Sequence, residues 1–297
     1  MTNEVGIIGL GKIGLGITKR LAPYFKVSVF DIDENSRKRT QFLGVNILES
    51  AQDVAKSFNT RKKIILSLPA GKTIDNVIEE LIPNLSRDDI VADFGNSNFG
   101  DSIRRSEYLE KKDIFYLDVG TSGGLEGSRI GYSLMMGGEL PAYRAMVPIF
   151  ERIAMKNGFN YVGESGSGHY VKMVHNAIEY GLLQAIAEGV ELLKESDYKF
   201  DLERITGIWR NGSIIRSYLI ELLNEALKLD PNLKEISGVI GGGETGKWAL
   251  DEADRLNIKM TAIKSAYEAR VASRNKRTFA TKVVATLRKK FGGHIPP

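Results

Sequence analysis

The sequence predicts an α/β protein, with a doubly wound sheet in the N-terminal half and an all-helical domain after it. In the first half, short β-rich apolar runs alternate with amphipathic segments. After a glycine cluster at residues 163–168, a 3.6-residue apolar periodicity dominates to about Lys290. We therefore expect two domains, residues 1–165 and residues 166–297.

Individual elements follow from the same patterns. The main strand candidates are residues 5–9, 27–31, 63–67, 90–93 and 114–119, with a weaker one at 44–46. A later pair of strands, at 133–137 and 161–162, brackets a predicted helix at 141–154 and is expected to extend the same sheet. The first helix of the second domain should run from about 169 to 195, which is unusually long.

Composition limits the class of protein. With 297 residues, 42% of them hydrophobic and 26% charged, the chain can form two domains that each have a core. It contains no cysteine and only three histidines, so thiolate chemistry is excluded and a metal site is not expected. The net charge of +4 is too small to predict binding to nucleic acid or an anionic membrane. Without a signal segment or a membrane-length apolar run, we expect a cytoplasmic protein.

A glycine-rich turn follows the first predicted strand and opens a helix. In this context the first glycine allows a tight turn, the second lets the backbone approach a pyrophosphate, and the third permits close helix packing. The alternative is a glycine-rich turn that binds nothing. The turn predicts a Rossmann-type dinucleotide-binding domain over residues 1–165, with cofactor contacts at Gly9, Leu10, Gly11, Lys12, Ile13 and Gly14.

Asp31 ends the second predicted strand, at the spacing of a carboxylate that binds the adenosine ribose hydroxyls. A carboxylate at this position would repel a 2′-phosphate, so NAD is favoured over NADP. Arg37 and the Lys38–Arg39 pair lie further along and are expected on an exposed helix face. Because of their positive charge, NADP remains an alternative cofactor.

Three further loops follow predicted strands, at the sheet edge where doubly wound sheets bind ligands. Leu68 and Pro69 come after one strand, and Asn96 after the next. The third loop contains adjacent glycines whose N–H groups could hold a carboxylate or hydroxyl near a nicotinamide; its candidates are Ser122, Gly123 and Gly124. Helix caps and a plain turn are the alternative interpretations.

The long predicted helix carries a stripe of polar residues. Lys172, Asn176 and Glu179 are spaced four and three residues apart, and His175 falls between them, so all four share one helix face. We favour a face that lines a cleft over a solvated surface. Lysine acts as a general base if burial or neighbouring charge lowers its pKa, and the glutamate could then serve as the acid.

These motifs resemble those of the 6-phosphogluconate dehydrogenases, within the β-hydroxyacid dehydrogenase superfamily, over essentially the full chain. The resemblance rests on residues 121–124 with Gly127, on residues 168–176, and on the Glu179–Tyr180 pair. Residues 245–248 resemble the family's substrate-phosphate segment, and residues 291–294 its C-terminal tail.

The resemblance implies oxidative decarboxylation of 6-phosphogluconate to ribulose 5-phosphate and CO2 with reduction of NAD(P), in the pentose phosphate pathway. It makes Lys172 the base and Glu179 the acid. It implies that the carboxylate and hydroxyls of this phosphorylated sugar acid are positioned by Asn96, Ser122, Gly123, Gly124, His175 and Asn176. The phosphate is expected at Tyr180, Thr245, Arg270, Arg288 and His294. It also implies a homodimer or homotetramer in which the tail contributes to the neighbouring subunit's site.

The chain also departs from the family's long form. It is much shorter, so it resembles the short class. Gly243 stands where a phosphate-binding lysine of the long form aligns, and Lys247 or Arg274 could replace that lysine. Phe94 replaces a glycine of the usual double glycine.

Two other functions are considered. A superfamily dehydrogenase or reductase that acts on an unphosphorylated acid such as 3-hydroxyisobutyrate would use Lys172 and Asn176 but would not need Arg270, Arg288 or His294. A non-catalytic nucleotide- or nucleic-acid-binding protein is suggested only by the seven Lys and Arg residues between Arg274 and Lys290.

Overall fold

The computed structural model describes residues 4–293. Contacts divide the chain into two compact units, which we call the N-terminal unit, ending at Lys172, and the C-terminal unit, starting at Met173. The N-terminal unit contains an eight-stranded sheet in the order β3-β2-β1-β4-β5-β6-β7-β8. Its strands are β1 (Glu4–Ile8), β2 (Lys26–Phe30), β3 (Asn46–Ile47), β4 (Lys63–Leu66), β5 (Ile90–Asp93), β6 (Phe115–Ser122), β7 (Tyr132–Gly138) and β8 (Ala154–Gly163).

The first six strands are parallel and follow the 3-2-1-4-5-6 order of dinucleotide-binding sheets. β7 pairs antiparallel with β6, with Leu117 opposite Gly138, and β8 pairs parallel with β7. The strand order reverses between the neighbouring parallel strands β1 and β4. In sheets of this type, ligands bind in the crevice at the carboxyl ends of the two strands where the order reverses.

Helices and short 3-10 turns connect the strands. The α-helices are α1 (Lys12–Leu21), α2 (Glu34–Lys38), α3 (Ala51–Lys56), α4 (Lys72–Leu81), α5 (Phe99–Glu110), α6 (Gly127–Ile130), α7 (Leu140–Ile153) and α8 (Ser167–Glu195). The 3-10 turns span Gln41–Leu43 and Ile82–Asn84. α8 starts in the N-terminal unit and continues into the C-terminal unit.

The two faces of the sheet have separate cores. On one face Val5, Ile7, Ile65, Leu117 and Val119 pack with residues of α1 and α7. The other face packs against α3 and α4, through residues that include Ile8, Ile64, Leu66, Val91 and Tyr116. Neighbouring residues of one strand therefore belong to opposite cores, as the two-residue period of a strand requires.

In the C-terminal unit, α8 is followed by α9 (Leu202–Trp209), α10 (Tyr218–Leu229), α11 (Glu244–Arg255), α12 (Thr261–Ala272) and α13 (Phe279–Gly292). Its core joins Leu183 and Val190 of α8 with α10 and α13, including Leu223 and Leu287. Between residues 173 and 293 the chain forms no strand. No helix in the described part of the chain is both long and apolar enough to cross a membrane.

The fold class predicted from the sequence is confirmed, including the extension of the sheet beyond its sixth strand. The largest difference in an element concerns β8, which has ten residues where the sequence predicted a strand over two. Most of β8 is exposed or half-buried at the edge of the sheet, so it lacks a continuous apolar run.

Candidate active site

The glycine-rich turn lies between β1 and α1, at the carboxyl edge of the sheet. A Cβ atom on Gly14 would lie 1.9 Å from the carbonyl oxygen of Gly9, so only glycine allows the helix to pack so closely on the turn. Gly11 precedes α1 and has no side-chain cap, and nothing lies within 4 Å of where its Cβ would be. This open helix start, which has no side-chain cap, fits the pyrophosphate of a dinucleotide.

Asp31 follows β2 and reaches the glycine-rich turn. Its Oδ2 accepts a hydrogen bond of 2.6 Å from the Leu10 N–H, and its Oδ1 accepts one of 2.8 Å from the Asp33 N–H. The carboxylate thus sits beside the turn, where the ribose of a dinucleotide binds in folds of this type.

The basic residues after Asp31 have protein partners. Arg37 donates a hydrogen bond of 2.7 Å to the Asp31 carbonyl and forms a 3.3 Å ion pair with Glu49. Arg39 donates hydrogen bonds to the Leu10 carbonyl and to the Ser36 hydroxyl. Lys38, which pairs with Glu34, and Arg39 are exposed as the sequence predicted, whereas Arg37 is half-buried.

The loops after β4 and β5 meet the glycine-rich turn. A Cβ on Gly9 would lie 3.0 Å from Cδ2 of Leu68, and a Cβ on Gly95 would lie 2.9 Å from the Leu68 carbonyl. Leu68, the glycine-rich turn and the loop that carries Asn96 are therefore neighbours. The structure brings these predicted cofactor residues together at one edge of the sheet.

Lys172 lies against the strand that leads to the third predicted loop. It is half-buried in α8, and a Cβ on Gly120 of β6 would lie 2.6 Å from the Lys172 Cβ. Two residues beyond Gly120, β6 ends at Ser122, and Gly123 and Gly124 follow in the turn to α6. The predicted base and the predicted carboxylate-binding loop thus belong to one local arrangement in the N-terminal unit.

The other polar residues of the stripe lie in the C-terminal unit, within the next two turns of α8. His175, Asn176 and Glu179 are half-buried, whereas Val174 and Ile178 are exposed. The His175 Nδ1 lies 3.1 Å from the Asn176 Oδ1, so these two side chains orient each other. The prediction that this helix face is not a plain core face agrees with these burial values.

The residues predicted for the phosphate end are clustered in the C-terminal unit. Arg270 is 3% exposed, and its Cζ lies 3.4 Å from the centre of the Tyr180 ring. Its Nη1 is buried without a hydrogen-bond partner, and no ion pair forms at Arg270 among residues 4–293. Burial lowers the pKa of Arg270 to about 10, so the site holds a poorly solvated cation.

A second arginine lies near the first. Arg288 of α13 donates a hydrogen bond of 2.6 Å to the Gly241 carbonyl, and burial lowers the pKa of its guanidinium. The start of α11 completes the cluster, because Gly246 packs against the Tyr180 ring and Thr245 is buried beside it. Two desolvated cations at a helix start form an environment suited to a phosphate.

Lys247 and Arg274, the suggested replacements for a lysine at position 243, both line a cavity of about 250 Å³. Gly242, Gly243 and Trp248 line the same cavity. Lys247 also forms an ion pair with Asp251 on the surface of α11. His294 lies outside the described residues.

Sequence reasoning missed several residues that support the site. Asp93 is fully buried and accepts hydrogen bonds from the Gly95 N–H and the Ser97 hydroxyl, on either side of Asn96. Arg105 of α5 contacts this carboxylate at 3.5 Å and the Gly71 carbonyl at 3.0 Å. Asp118, also fully buried, binds the start of α8. An isolated Asp or Arg carries no sequence signal for such long-range partners.

The strand order, the open glycine-rich turn and the carboxylate after β2 define a dinucleotide-binding protein of the dehydrogenase class. Comparison with known families agrees with this class. Residues 4–163 match the model described as the NAD binding domain of 6-phosphogluconate dehydrogenase, and residues 168–293 match that of its C-terminal domain. The chain belongs to the 6-phosphogluconate dehydrogenase family, and its cofactor is a nicotinamide dinucleotide.

Individual relatives agree with this assignment. The NAD(+)-dependent, decarboxylating 6-phosphogluconate dehydrogenase of Haloferax volcanii is 39% identical over 294 residues, which are 98% of this chain and 97% of the relative. A Plasmodium falciparum 6-phosphogluconate dehydrogenase, studied with NADP+ and with 6-phosphogluconate, has a TM-score of 0.82 and 32% identity. The alignment covers 91% of this chain and 62% of the Plasmodium chain. The 3-hydroxyisobutyrate dehydrogenase of Mycobacterium tuberculosis, 19% identical with a TM-score of 0.75, shares the fold.

Proposed function

We propose that this chain oxidises and decarboxylates 6-phosphogluconate, giving ribulose 5-phosphate, CO2 and the reduced cofactor. The observation that carries this proposal is the buried Arg270 against the Tyr180 ring, with the half-buried Arg288 near it. A cation as deeply buried as Arg270, without an ion pair among the described residues, is costly unless an anion joins it. A substrate phosphate is such an anion, whereas an unphosphorylated hydroxy acid carries only its carboxylate, which this proposal places at Ser122, Gly123 and Gly124.

The cofactor site consists of the glycine-rich turn, Asp31, Leu68, Pro69 and Asn96. The open start of α1 accommodates the pyrophosphate, and Asp31 accepts hydrogen bonds from the ribose. When bound, the nicotinamide supplies the hydride acceptor. The loops after β4 and β5 hold the reacting carbon in line with it, which accounts for much of the rate enhancement in such sites.

Lys172 acts as the general base. As the hydride leaves C3 of the substrate, the lysine amine takes the proton of the 3-hydroxyl, and a 3-keto acid forms. Ser122 and the N–H groups of Gly123 and Gly124 hold the C1 carboxylate, while His175 and Asn176 orient the hydroxyls.

The keto acid then loses its carboxylate. The C1–C2 bond breaks, CO2 leaves, and the electron pair forms the C2–C3 double bond as Lys172 returns its proton to the C3 oxygen. Glu179 protonates C2 of the resulting enediol while Lys172 again takes the hydroxyl proton, which gives the ketone of ribulose 5-phosphate. One proton is lost to Lys172 and one is gained from Glu179, so the step is balanced.

NAD is the preferred cofactor in this proposal. The Asp31 carboxylate would repel a 2′-phosphate, and Arg37 and Arg39 are engaged with the backbone and with neighbouring side chains. The related Haloferax volcanii enzyme is named as NAD(+)-dependent, which supports the same choice. A cytoplasmic location remains part of the proposal.

The proposal includes a homodimer or homotetramer, with His294 of the tail reaching the neighbouring subunit's phosphate site. An exposed apolar stripe on α8 supports it. Val174, Ile178, Leu182 and Leu192 are 37%, 51%, 53% and 73% exposed, and they recur at helical spacing along one face. A contiguous apolar face of this kind on a monomer would be unusual, whereas a second copy would bury it.

The test is an assay of the purified protein with 6-phosphogluconate or 3-hydroxyisobutyrate, and with NAD or NADP. We expect one CO2 released for each cofactor reduced, with 6-phosphogluconate as substrate and NAD as the better cofactor. Cofactor reduction without CO2, or faster turnover of 3-hydroxyisobutyrate, would contradict the proposal and favour the unphosphorylated-acid dehydrogenase.

A further inference from the structure

Strand β6 lies against the first turn of α8 through a tight, glycine-lined junction. A Cβ on Gly168 would lie 2.3 Å from the Asp118 carbonyl, and a Cβ on Gly137 would lie 2.6 Å from the Asp118 Oδ1. Real Cβ atoms do not approach other atoms so closely. The glycines at these positions therefore permit the strand and the helix to be in direct backbone contact.

The buried carboxylate of Asp118 joins β6 to the start of α8 by hydrogen bonds. Asp118 is 0% exposed, its Oδ1 accepts the Gly166 N–H at 2.8 Å, and its Oδ2 accepts the His169 N–H at 2.8 Å. The N–H groups at a helix start have no partner within the helix, so a carboxylate that accepts two of them fixes both the position and the direction of the helix axis.

Asp118 and the proposed chemistry share one strand face. Side chains two apart on a strand point the same way, so Asp118, Gly120 and Ser122 face the same side of β6. Asp118 binds the helix start, and Gly120 touches the Lys172 Cβ. Ser122 begins the proposed carboxylate-binding loop. The contacts of β6 with the start of α8 therefore set the distance between Lys172 and that loop.

We propose that Asp118 is a positioning residue for Lys172, and that it holds the general base in register with Ser122 by fixing the start of α8 to β6. This inference rests on the proposed function. It assigns Asp118 no contact with the substrate. Its effect on the reaction passes entirely through the placement of the lysine.

The nearby ionisable groups do not give Asp118 another obvious partner. His169 and Tyr116 are titratable side chains close to it. The His169 Nδ1 lies 2.7 Å from the Ser102 hydroxyl, and the Tyr116 hydroxyl donates a hydrogen bond of 2.9 Å to Asp93. Burial raises the pKa of Asp118, and the hydrogen bonds from the two backbone N–H groups oppose this rise. The carboxylate thus bonds to backbone groups of the helix start.

The first test is Asp118→Asn, which keeps the shape but turns an amide NH2 toward one of the two N–H donors. We expect kcat for 6-phosphogluconate to fall by about 100-fold, because small displacements of a catalytic group have effects of this size. The KM for NAD should stay unchanged, since the cofactor loops are not altered. Unchanged kcat in folded enzyme would overturn the inference.

Asp89→Asn is the matched control. Asp89 is 2% exposed and also accepts two backbone N–H groups, from Lys62 at 2.7 Å and Ser86 at 2.8 Å. It pairs with the Lys62 Nζ at 3.0 Å as well, and it lies before β5 with these partners outside α8. Both variants should lose thermal stability, and only Asp118→Asn should lose kcat. If both lost kcat to the same degree, Asp118 would have only a structural role.

A double-mutant cycle separates positioning from general damage. In a Lys172→Ala background, Asp118→Asn should lower the remaining kcat by less than about twofold, because the group that it positions is gone. An equal loss in both backgrounds would overturn the inference. If Lys172→Ala itself kept full activity, the proposed function would fail instead, so the two failures are distinguishable.

Gly120→Ala provides a second route if Asp118→Asn does not fold. It leaves the Asp118 carboxylate in place and adds a methyl group 2.6 Å from the Lys172 Cβ. We expect it to lower kcat more than it raises the KM for NAD. Wild-type kcat in this variant would contradict the claim that the contact of β6 with α8 sets the lysine's position.

Discussion

In this account, the preference for NAD over NADP depends on the Asp31 carboxylate. In Asp31→Asn the repulsion of a 2′-phosphate is removed, while an oxygen remains to accept the Leu10 N–H. We expect the ratio of kcat/KM for NAD to that for NADP to fall by about tenfold or more, since like charges in contact cost several kcal/mol. Steady-state kinetics with both cofactors measure the ratio.

Asp33→Asn is the control for this experiment. Asp33 caps α2 through the Asn35 and Ser36 N–H groups, and asparagine caps helices as well as aspartate does. It removes the same charge two residues away. A shift in cofactor preference of equal size in both variants would show that general charge, not the Asp31 site, sets the preference.

Arg270→Met tests the phosphate site at the residue scale. Methionine fills the buried space without the charge, so thermal stability should be retained or raised. The KM for 6-phosphogluconate should rise by about tenfold or more, because a charge-assisted contact to the phosphate is lost. Oxidation of gluconate, which has no phosphate, should be equally slow in both proteins.

The contrasting result is also informative. An unchanged KM for 6-phosphogluconate in Arg270→Met, or a parallel loss with gluconate, would show that Arg270 does not bind the phosphate. The unphosphorylated-acid dehydrogenase would then regain support.

Some residues of the site could be predicted from the sequence, and others could not. The glycine-rich turn and Asp31 could be predicted because their spacing along the chain is fixed by the ligand. Arg105 and Asp118 could not, because their roles depend on partners 34 and 48 residues away. A buried polar residue in a loop or strand looks like any exposed one until the fold brings its partners together.

The same distinction holds at the scale of elements. The buried parallel strands β1, β2, β4 and β5 have apolar runs that predict them within one residue. β8 is an exposed edge strand, and because of its polar residues the sequence pattern predicts only a short part of its length. The antiparallel direction of β7 depends on the path of the chain through α6, and no local pattern encodes it.

Arg105 joins two elements that carry the cofactor loops. Its Nε bonds to Asp75 of α4 at 2.7 Å, and its Nη2 bonds to the Gly71 carbonyl. In Arg105→Met, the loss of a buried cation from this network should lower the free energy of unfolding by about 3 kcal/mol. It should also raise the KM for NAD, because the loops after β4 and β5 lose their link. Denaturant unfolding and kinetics test both effects.

Arg104→Met is a suitable comparison, because Arg104 also pairs with Asp75 but its side chain is 55% exposed. Exposed pairs contribute about 0–1 kcal/mol, so stability and the KM for NAD should hardly change. Equal effects of the two substitutions would contradict a special role for the buried arginine.

At the scale of the whole molecule, the fold class follows from the sequence, but the number of subunits does not. The apolar face of α8 can be recognised as exposed only from the structure, because the sequence does not show which residues cover a helix. We expect Leu182→Glu on the α8 stripe to convert a dimer to a monomer, because it buries a charge at the proposed contact. Sedimentation velocity measures the change.

Leu229→Glu places the same charge on another exposed leucine, at the end of α10 and 82% exposed, and should leave the sedimentation unchanged. A monomeric wild-type protein would contradict the proposed assembly. Equal dissociation in both variants would show that the stripe is not the specific contact.

The central claim is that Lys172, held against β6, is the base for oxidation of the substrate. The most direct measurement is kcat of Lys172→Ala with 6-phosphogluconate and saturating NAD, alongside the dissociation constant for NAD. We predict that kcat falls by about 10²- to 10⁴-fold, as for loss of a general base, while NAD binding is kept. A kcat within about twofold of the wild-type value, far below the loss expected for a general base, would contradict the account.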